Sequence, residues 1–204
     1  FERSMRNLGL EVLDSWLMHW PVPKDFARTV ESWQTMIELV NDGRIHSIGV
    51  SNFSLADLER LIGATGFAPA LNQVELHPYF AQPDLRVKSA VKGIVTQAWS
   101  PIGGVSRYAG DGALDPLSDP VLTDIARAHG KTAAQIILRW HLQHGVAVIP
   151  KSVKPERIRE NSALFDFALT EGEMGAIDDL NRGERAGPDP DVVTPELFGL
   201  HIED

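Results

Sequence analysis

The chain has 204 residues, of which 43% are hydrophobic and 23% charged, a composition typical of a globular protein rather than a disordered or fibrous one. Its 19 Lys and Arg residues against 28 Asp and Glu residues give a net charge of -9, which argues against a general nucleic-acid-binding protein. The absence of cysteine excludes disulfides, thiolate metal ligands and a cysteine nucleophile, and no apolar run reaches the ~18 residues of a membrane span.

Apolar runs without polar alternation recur along the chain. The first run, Val12–Met18, follows a helically spaced opening segment, Phe1–Leu10, which Gly9 is suited to end. Similar runs follow at Ile45–Val50, Ala70–Val74, Ile94–Ala98 and Val146–Ile149. Runs of this kind are typical of strands that are buried on both faces in a parallel sheet, so we predict a parallel strand at each of them.

The segments between these runs are amphipathic and predict helices. Val30–Val40 places its apolar residues on one face and is followed by Asn41, Asp42 and Gly43, which stop a helix. Ser54 and Asp57 have the spacing of a capping box at the start of the next helix. Further helices are predicted over Pro83–Val91, Asp119–His129 and Thr132–His144. The alternation of strand and helix predicts an α/β fold of repeated βα units, and we expect residues 1–204 to belong to a single domain.

Two Gly- and Pro-rich segments interrupt this alternation. The interval Pro101–Pro120 is long for a loop in a compact domain, and such loops are more often functional than not. The tail Gly183–Asp204 contains Gly187-Pro188-Asp189-Pro190-Asp191, which excludes regular structure there. Composition alone predicts a frayed terminus for this tail.

Polar and aromatic residues follow every predicted strand. In parallel α/β folds the carboxyl ends of the strands carry the functional site, so these residues are expected to meet at one face. They are His19 and Trp20, Ser51 and Asn52, Gln73, Glu75 and His77, Trp99 and Ser100, and Lys151 and Ser152. Glu75 and His77 share a strand face, but without a third ligand they do not predict a metal site.

The motifs around these residues resemble those of the aldo-keto reductases, and the subgroup resembles bacterial 2,5-diketo-D-gluconate reductase-like enzymes. The resemblance is in family order along nearly the whole chain, in Leu17–Pro21, Gly43–Ile45, Gly49–Phe53, Asn72–Pro78, Ala98–Pro101 and Ile149–Asn161. It implies a (β/α)8 TIM barrel of which this chain covers about strands four to eight. It also implies NADPH-dependent reduction of a small-molecule aldehyde or ketone, with no metal. A cysteine-free chain and NADPH chemistry both suit the cytoplasm, which is the expected location.

The resemblance assigns the first group of residues to the substrate and the nicotinamide. It implies that His19 is catalytic, orienting the substrate carbonyl, and that Trp20 lines the substrate pocket. We expect His19 to be buried and neutral beside its apolar strand. The residues implied to bind the nicotinamide end of the cofactor are Ser51, Asn52, Gln73, Trp99 and Ser100. Amide side chains suit a carboxamide because they both donate and accept hydrogen bonds, and the Trp99 indole is suited to stacking.

Charge patterning independently points to an anion site near the end of the chain. Lys151–Glu160 holds four cations against two anions in an acidic chain, and Pro155 suits the first position of a helix. A solvated charged face is the alternative interpretation. The resemblance implies that Lys151, Ser152 and Arg157 bind the adenosine 2′-phosphate, and that NADPH is therefore preferred over NADH. It also implies that Val153 binds the cofactor and that Glu160 and Asn161 contact adenine. No G-x-G-x-x-G motif supports a Rossmann domain.

The family's catalytic tetrad is Asp, Tyr, Lys and His, and only His19 matches it here. Tyr79 and Tyr108 lie outside the family's tyrosine motif. We therefore expect the other three residues to precede Phe1, and expect no turnover from the 204-residue chain alone. A non-catalytic nucleotide-binding or regulatory relative is the rival hypothesis. The full-length form is expected to be a monomer, whereas a fragment with open sheet edges is expected to self-associate or to require a complementary fragment.

Overall fold

The structure is a computed structural model that describes residues 1–104 and 115–194. The chain divides into two compact units. The first contains Phe1–Gln73, Lys88–Ile94 and the described residues from Asp189 onward, and the second contains Val74–Val87 and the described residues of Val95–Pro188.

Helices and strands alternate through the described chain. The strands are β1 (Leu13–Met18), β2 (Ile45–Ser51), β3 (Leu71–Glu75), β4 (Val95–Trp99) and β5 (Ala147–Val148). The helices are α1 (Glu2–Leu8), α2 (Phe26–Asn41), α3 (Leu55–Thr65), α4 (Pro83–Val91), α5 (Pro120–His129), α6 (Ala133–Gln143), α7 (Pro155–Ser162) and α8 (Glu171–Asp178). Short 3-10 helices occupy Pro23–Asp25 and Pro116–Ser118.

In the first unit, β1, β2 and the start of β3 are parallel neighbours in that order. Met18 lies opposite Val50 in β1 and β2, and Ser51 lies opposite Gln73 in β2 and β3. The apolar face of α2 covers this sheet with Trp33, which is fully buried and donates its indole N–H to the carbonyl of Phe67 at 3.3 Å. The carboxyl ends of β1 and β2 therefore lie side by side, and Ser51 at the end of β2 lies beside Gln73.

In the second unit, the end of β3 and strands β4 and β5 follow one another. The Leu76 N–H donates to the Trp99 carbonyl at 3.4 Å, and Ala98 of β4 is parallel to Val148 of β5. Helices α5 and α6 pack together, and their core includes the fully buried side chains of Leu122, Ile136, Ile137, Leu138 and Trp140. The carboxyl ends of β4 and β5 therefore lie together as well.

The parallel α/β fold expected from the sequence is confirmed, because each strand pairing described is parallel. The Ser54–Asp57 capping box is also confirmed, with both reciprocal hydrogen bonds present. Helix α2 begins at Phe26, before the predicted start at Val30, and β5 is shorter than predicted. Helix α8 was not predicted, because Gly172 and Gly175 weaken its helical pattern; a capping box at Thr170 starts it nonetheless.

The frayed tail predicted from composition is wrong for the part that the structure describes. Residues 183–194 have no regular structure, as expected, but the amides of Glu184, Ala186 and Gly187 donate hydrogen bonds to residues that precede β4. Composition reports only the weak local preferences of the tail, whereas these bonds come from segments far away in sequence. Within residues 1–104 and 115–194, no helix is both long enough and apolar enough to cross a membrane.

Candidate functional site

Asn52 connects the ends of β1 and β2 in the first unit. Its backbone is left-handed, with φ of 65°, a conformation that asparagine tolerates better than most residues. The side-chain Nδ2 donates to the His19 carbonyl at 3.0 Å and to the Ser51 Oγ at 3.1 Å. The turn after β2 thereby fixes the backbone of His19.

Gln73 joins this group from β3 through its backbone carbonyl. That oxygen accepts the Asn52 N–H and the Ser51 hydroxyl, each at 2.8 Å. Ser51 and Asn52 are both buried, so these bonds offset the cost of removing polar groups from water. The structure therefore brings together four of the residues that the sequence predicted: His19, Ser51, Asn52 and Gln73.

His19 and Trp20 follow β1 at the edge of this group. Their ring centroids lie 5.7 Å apart, and Trp20 is half-buried. The predicted burial of His19 is wrong, because its side chain is exposed. It lies one residue beyond the strand, where the backbone, but not the imidazole, is held by Asn52.

Trp99 and Ser100 end β4 in the second unit. Ser100 has a left-handed φ of 48°, and its carbonyl accepts the Gly103 N–H at 2.9 Å in a tight turn. The Trp99 indole is half-buried and packs against the backbone of Gly187: a Cβ added to Gly187 would lie 3.0 Å from Cζ3 of that ring. The tail thus supports the indole for which the family resemblance implies nicotinamide stacking.

The predicted anion site forms the loop and first turn of α7, directly after β5. Lys151, Lys154 and Arg157 are exposed, and Pro155 is the first residue of α7, as the sequence indicated. The Ser152 Oγ accepts the Lys154 N–H at 3.2 Å, which shapes the approach to the helix. Among the described residues, these three cations form no ion pair, so their charges remain available to a phosphate.

The remaining predicted residues of this segment have different surroundings. Val153 is exposed in the loop, and Glu160 and Asn161 are half-buried near the end of α7. The Glu160 carbonyl accepts Nε2 of Gln135 from α6 at 3.2 Å, which holds α7 against α6. The end of α7 is thus held against α6, whereas the cations at the start of the segment are exposed.

Tyr79 is unsuited to be a proton donor. Its hydroxyl donates to Asp119 Oδ2 at 2.7 Å, and burial together with that carboxylate raises the Tyr79 pKa to about 12. A catalytic acid needs a pKa near the working pH and access to the reacting atom. Tyr108, the other tyrosine, lies outside the described residues.

Glu75 makes two contacts that the sequence analysis did not predict. Glu75 and His77 hydrogen-bond each other at 3.2 Å, and both are fully buried. The same carboxylate accepts backbone N–H groups from Ala186 and Gly187, more than one hundred positions away. Only the burial of a carboxylate between apolar strand neighbours could have suggested such a contact.

These features define a parallel α/β protein whose strand ends carry polar, aromatic and cationic groups. The profile described as the aldo/keto reductase family matches residues 1–182, and the chain belongs to that family. Morphine 6-dehydrogenase of Pseudomonas putida is 51% identical over 99% of this chain and 69% of its own length. Methylglyoxal reductase DkgA of Escherichia coli K12 is 47% identical over 92% of this chain and 66% of its own length.

Solved structures agree with this assignment. A mutant of Gox0644 in complex with NADPH has a TM-score of 0.86 and 44% identity, over 95% of this chain and 68% of that one. An aldo-keto reductase of Bombyx mori in complex with NADP has a TM-score of 0.84 and 36% identity, over 93% of this chain and 64% of that one. The chain spans about two thirds of the length of the curated relatives it matches.

Proposed function

We propose that this chain contributes the cofactor and substrate face of an NADPH-dependent enzyme that reduces small-molecule aldehydes or ketones to alcohols. The observation that carries the proposal is the hydrogen-bonded group of His19, Ser51, Asn52 and Gln73, in a chain of the aldo/keto reductase family. NADPH, when bound, supplies the hydride that is added to the carbonyl carbon.

The residues fit that cofactor. Lys151 and Arg157, which form no ion pair among the described residues, suit the 2′-phosphate, with Ser152 and Val153 beside them. Glu160 and Asn161 are proposed to contact adenine. At the other end Ser51, Asn52 and Gln73 would hold the carboxamide, while Trp99 and Ser100 would flank the ring. His19 would orient the substrate carbonyl, and Trp20 would form a wall of the pocket.

We propose that the proton for the carbonyl oxygen comes from a residue outside the family motifs that this chain matches. Of the family's tetrad, only His19 is matched, and the Asp119 bond occupies the hydroxyl of Tyr79. We therefore propose that the Asp, Tyr and Lys are encoded upstream of Phe1, and that the 204-residue chain alone binds NADPH without turnover. The single barrel domain, the assignment of β1–β5 to strands four to eight, the cytoplasmic location and the oligomeric state remain predictions.

Two measurements test the proposal. NADPH binding by the 204-residue chain is followed by the change in nicotinamide fluorescence, and NADPH oxidation with a simple aldehyde is followed at the nicotinamide absorbance band. The proposal predicts binding by this chain, and oxidation only when an upstream Asp–Tyr–Lys set is present in the expressed reading frame. An upstream region without that set, together with binding but no oxidation, would support a non-catalytic nucleotide-binding relative instead.

A further inference from the structure

We infer that Glu75 is a positioning residue that fixes the tail against Trp99 and thereby holds the indole ready for the nicotinamide. The inference rests on the proposed function, because the role of Trp99 in stacking is part of that proposal. The segment that carries it is residues 181–187, hereafter the strap. Every residue in the argument belongs to the second unit.

The strap runs alongside residues 75–81 and is tied to them at successive points. Its first tie is the Asn181 Oδ1, which accepts the Ala81 N–H at 3.1 Å. The Tyr79 carbonyl then accepts the N–H groups of Arg182 and Glu184, each at 3.1 Å. The strap therefore runs antiparallel to residues 75–81, from the end of α8 to the carboxyl end of β3.

Glu75 makes the last and most buried tie. Its Oε1 accepts the Ala186 N–H at 2.6 Å and the Gly187 N–H at 3.1 Å, and its Oε2 accepts Gly187 at 3.0 Å and Arg185 Nη1 at 3.4 Å. His77 Nε2 also lies 3.2 Å from Oε1. Every one of these partners donates a hydrogen bond, because an ionised carboxylate only accepts.

The carboxylate is held in its charged form despite its burial. Burial by itself raises the Glu75 pKa, but the bonds from His77, Ala186 and Gly187 outweigh it, so the pKa is lowered from its ordinary value. A charged group in a dry site is retained only when its acceptor positions are filled. Release of the strap would leave Glu75 without most of its donors, and this cost favours the bound position of the strap.

The strap ends against the indole. A Cβ on Gly187 would lie 3.0 Å from Cζ3 of Trp99 and 3.1 Å from Oε2 of Glu75. Both distances are tighter than ordinary contacts, so only glycine allows the backbone to touch the ring and the carboxylate together. Glu75 therefore acts on Trp99 through Gly187, by holding the backbone that the ring packs against rather than by contacting the cofactor.

The first test substitutes Glu75→Gln in the 204-residue chain, with Glu184→Gln as the matched control. A glutamine at position 75 presents an N–H₂ group where Glu75 has an acceptor oxygen. The Glu184 side chain is half exposed, and its one ion pair, with Arg182, is long at 3.9 Å, so its substitution should disturb little. Hydrogen exchange at the Ala186 and Gly187 amides should rise about tenfold or more in Glu75→Gln and stay unchanged in the control. Unchanged exchange in Glu75→Gln would overturn the inference.

The second test separates the nicotinamide from the phosphate end of the ligand. Glu75→Gln should weaken NADPH binding about three- to tenfold, the range expected for a disturbed aromatic contact, and leave adenosine 2′,5′-bisphosphate binding unchanged. That probe carries the 2′-phosphate but no nicotinamide. In a Trp99→Ala background, Glu75→Gln should cause no further loss, because the residue through which it acts is gone. Equal weakening of both ligands would overturn the positioning role.

Gly187→Ala tests the same inference with a second variant, even if Glu75→Gln does not fold. It leaves the carboxylate in place and pushes on the Trp99 ring, so NADPH binding should weaken while bisphosphate binding does not. A variant that binds NADPH as the parent chain does would contradict the inference. If the parent chain binds neither ligand, the proposed function is wrong and the inference falls with it; if the parent binds NADPH and no variant differs, the inference alone is wrong.

Discussion

The Tyr79 hydroxyl donates a hydrogen bond of 2.7 Å to Asp119 Oδ2, across 40 positions of sequence. Asp119 uses its other oxygen, Oδ1, to accept the Val121 N–H at 2.9 Å and so caps the start of α5. The turn after β3 and the first turn of α5 are therefore joined through one buried carboxylate, since Asp119 is 8% exposed and Tyr79 5% exposed.

Replacing Tyr79 with phenylalanine removes the hydroxyl and leaves a buried carboxylate oxygen without its donor. We expect the free energy of unfolding of Tyr79→Phe to fall by about 1.5–3 kcal/mol, the range for hydrogen bonds to charged groups. Urea unfolding at neutral pH, followed by circular dichroism, measures the loss. A variant as stable as the parent chain would show that the bond contributes nothing net.

The same bond predicts a dependence on alkaline pH. The Tyr79 pKa is raised from 10.0 to about 12, so the folded state retains a proton that the unfolded state releases. The stabilisation is therefore complete below pH 10 and is lost as the pH rises toward 12. We expect the stability difference between the parent chain and Tyr79→Phe to narrow over that range, measured by urea unfolding at each pH. A difference that stays constant across the range would contradict the assignment of this proton to Tyr79.

Acidic pH should destabilise the chain through His141. Burial lowers its pKa from 6.5 to about 3, while the bond between Nε2 and the Pro101 carbonyl opposes that change. The stabilisation is present above pH 6.5 and is lost as the pH falls toward 3. In this range His141 binds a proton in the unfolded state but stays neutral in the folded state.

One such group changes the free energy of unfolding by up to about 1.4 kcal/mol per pH unit in that interval. His141→Gln should flatten the acid dependence by about this amount, whereas His46→Gln, at an exposed position of β2, should not change it. Urea unfolding between pH 4 and pH 7 gives the slopes. Part of the slope should survive in His141→Gln, because burial also lowers the His144 pKa. Equal slopes in the two variants would contradict the role of His141.

Gly49 in the middle of β2 is required for close strand packing. A Cβ there would lie 2.6 Å from Leu17 Cδ2 and 2.8 Å from the Leu71 carbonyl oxygen, and the latter cannot move freely. Gly49→Ala should therefore cost about 1–3 kcal/mol of unfolding free energy. Gly63→Ala is the matched control: a Cβ in α3 meets no atom within 4 Å, and we expect a gain of about 0.5–1 kcal/mol. Thermal unfolding of both variants measures the contrast, and a change of the same sign in both would refute the packing argument.

Removing one cation from the start of α7 should change the choice of cofactor. Arg157→Met is expected to weaken NADPH binding about tenfold and to leave NADH binding nearly unchanged, because only NADPH carries the 2′-phosphate. Arg127→Met is the control, since that guanidinium already pairs with Asp124 at 2.8 Å on α5. Titration at two salt concentrations adds a second criterion: the parent chain should lose NADPH affinity more steeply with salt than Arg157→Met does. Equal losses for both cofactors would argue for a solvated charged face instead.

Local patterns predicted the elements that depend on neighbouring residues. The capping box of Ser54 and Asp57 spans three positions, and the helical start at Pro155 is a property of one residue, so both could be predicted from the sequence. Helix α8 was not predicted because its two glycines lower the helix propensity of that segment. The burial of His19 could not be predicted correctly, since it depends on where β1 ends relative to its neighbours.

In the candidate site, too, some features were determined by the sequence and others only by the tertiary structure. The residue types at the strand ends, the cations of Lys151–Arg159 and the resemblance to the family were determined by the sequence, because each is a pattern of identities along the chain. The contacts of Asn52 with His19 and of Glu75 with Gly187 were decided only by the tertiary structure. They join residues 33 and 112 positions apart, and no local preference encodes such a pairing until packing brings the segments together and buries the polar groups that must find partners.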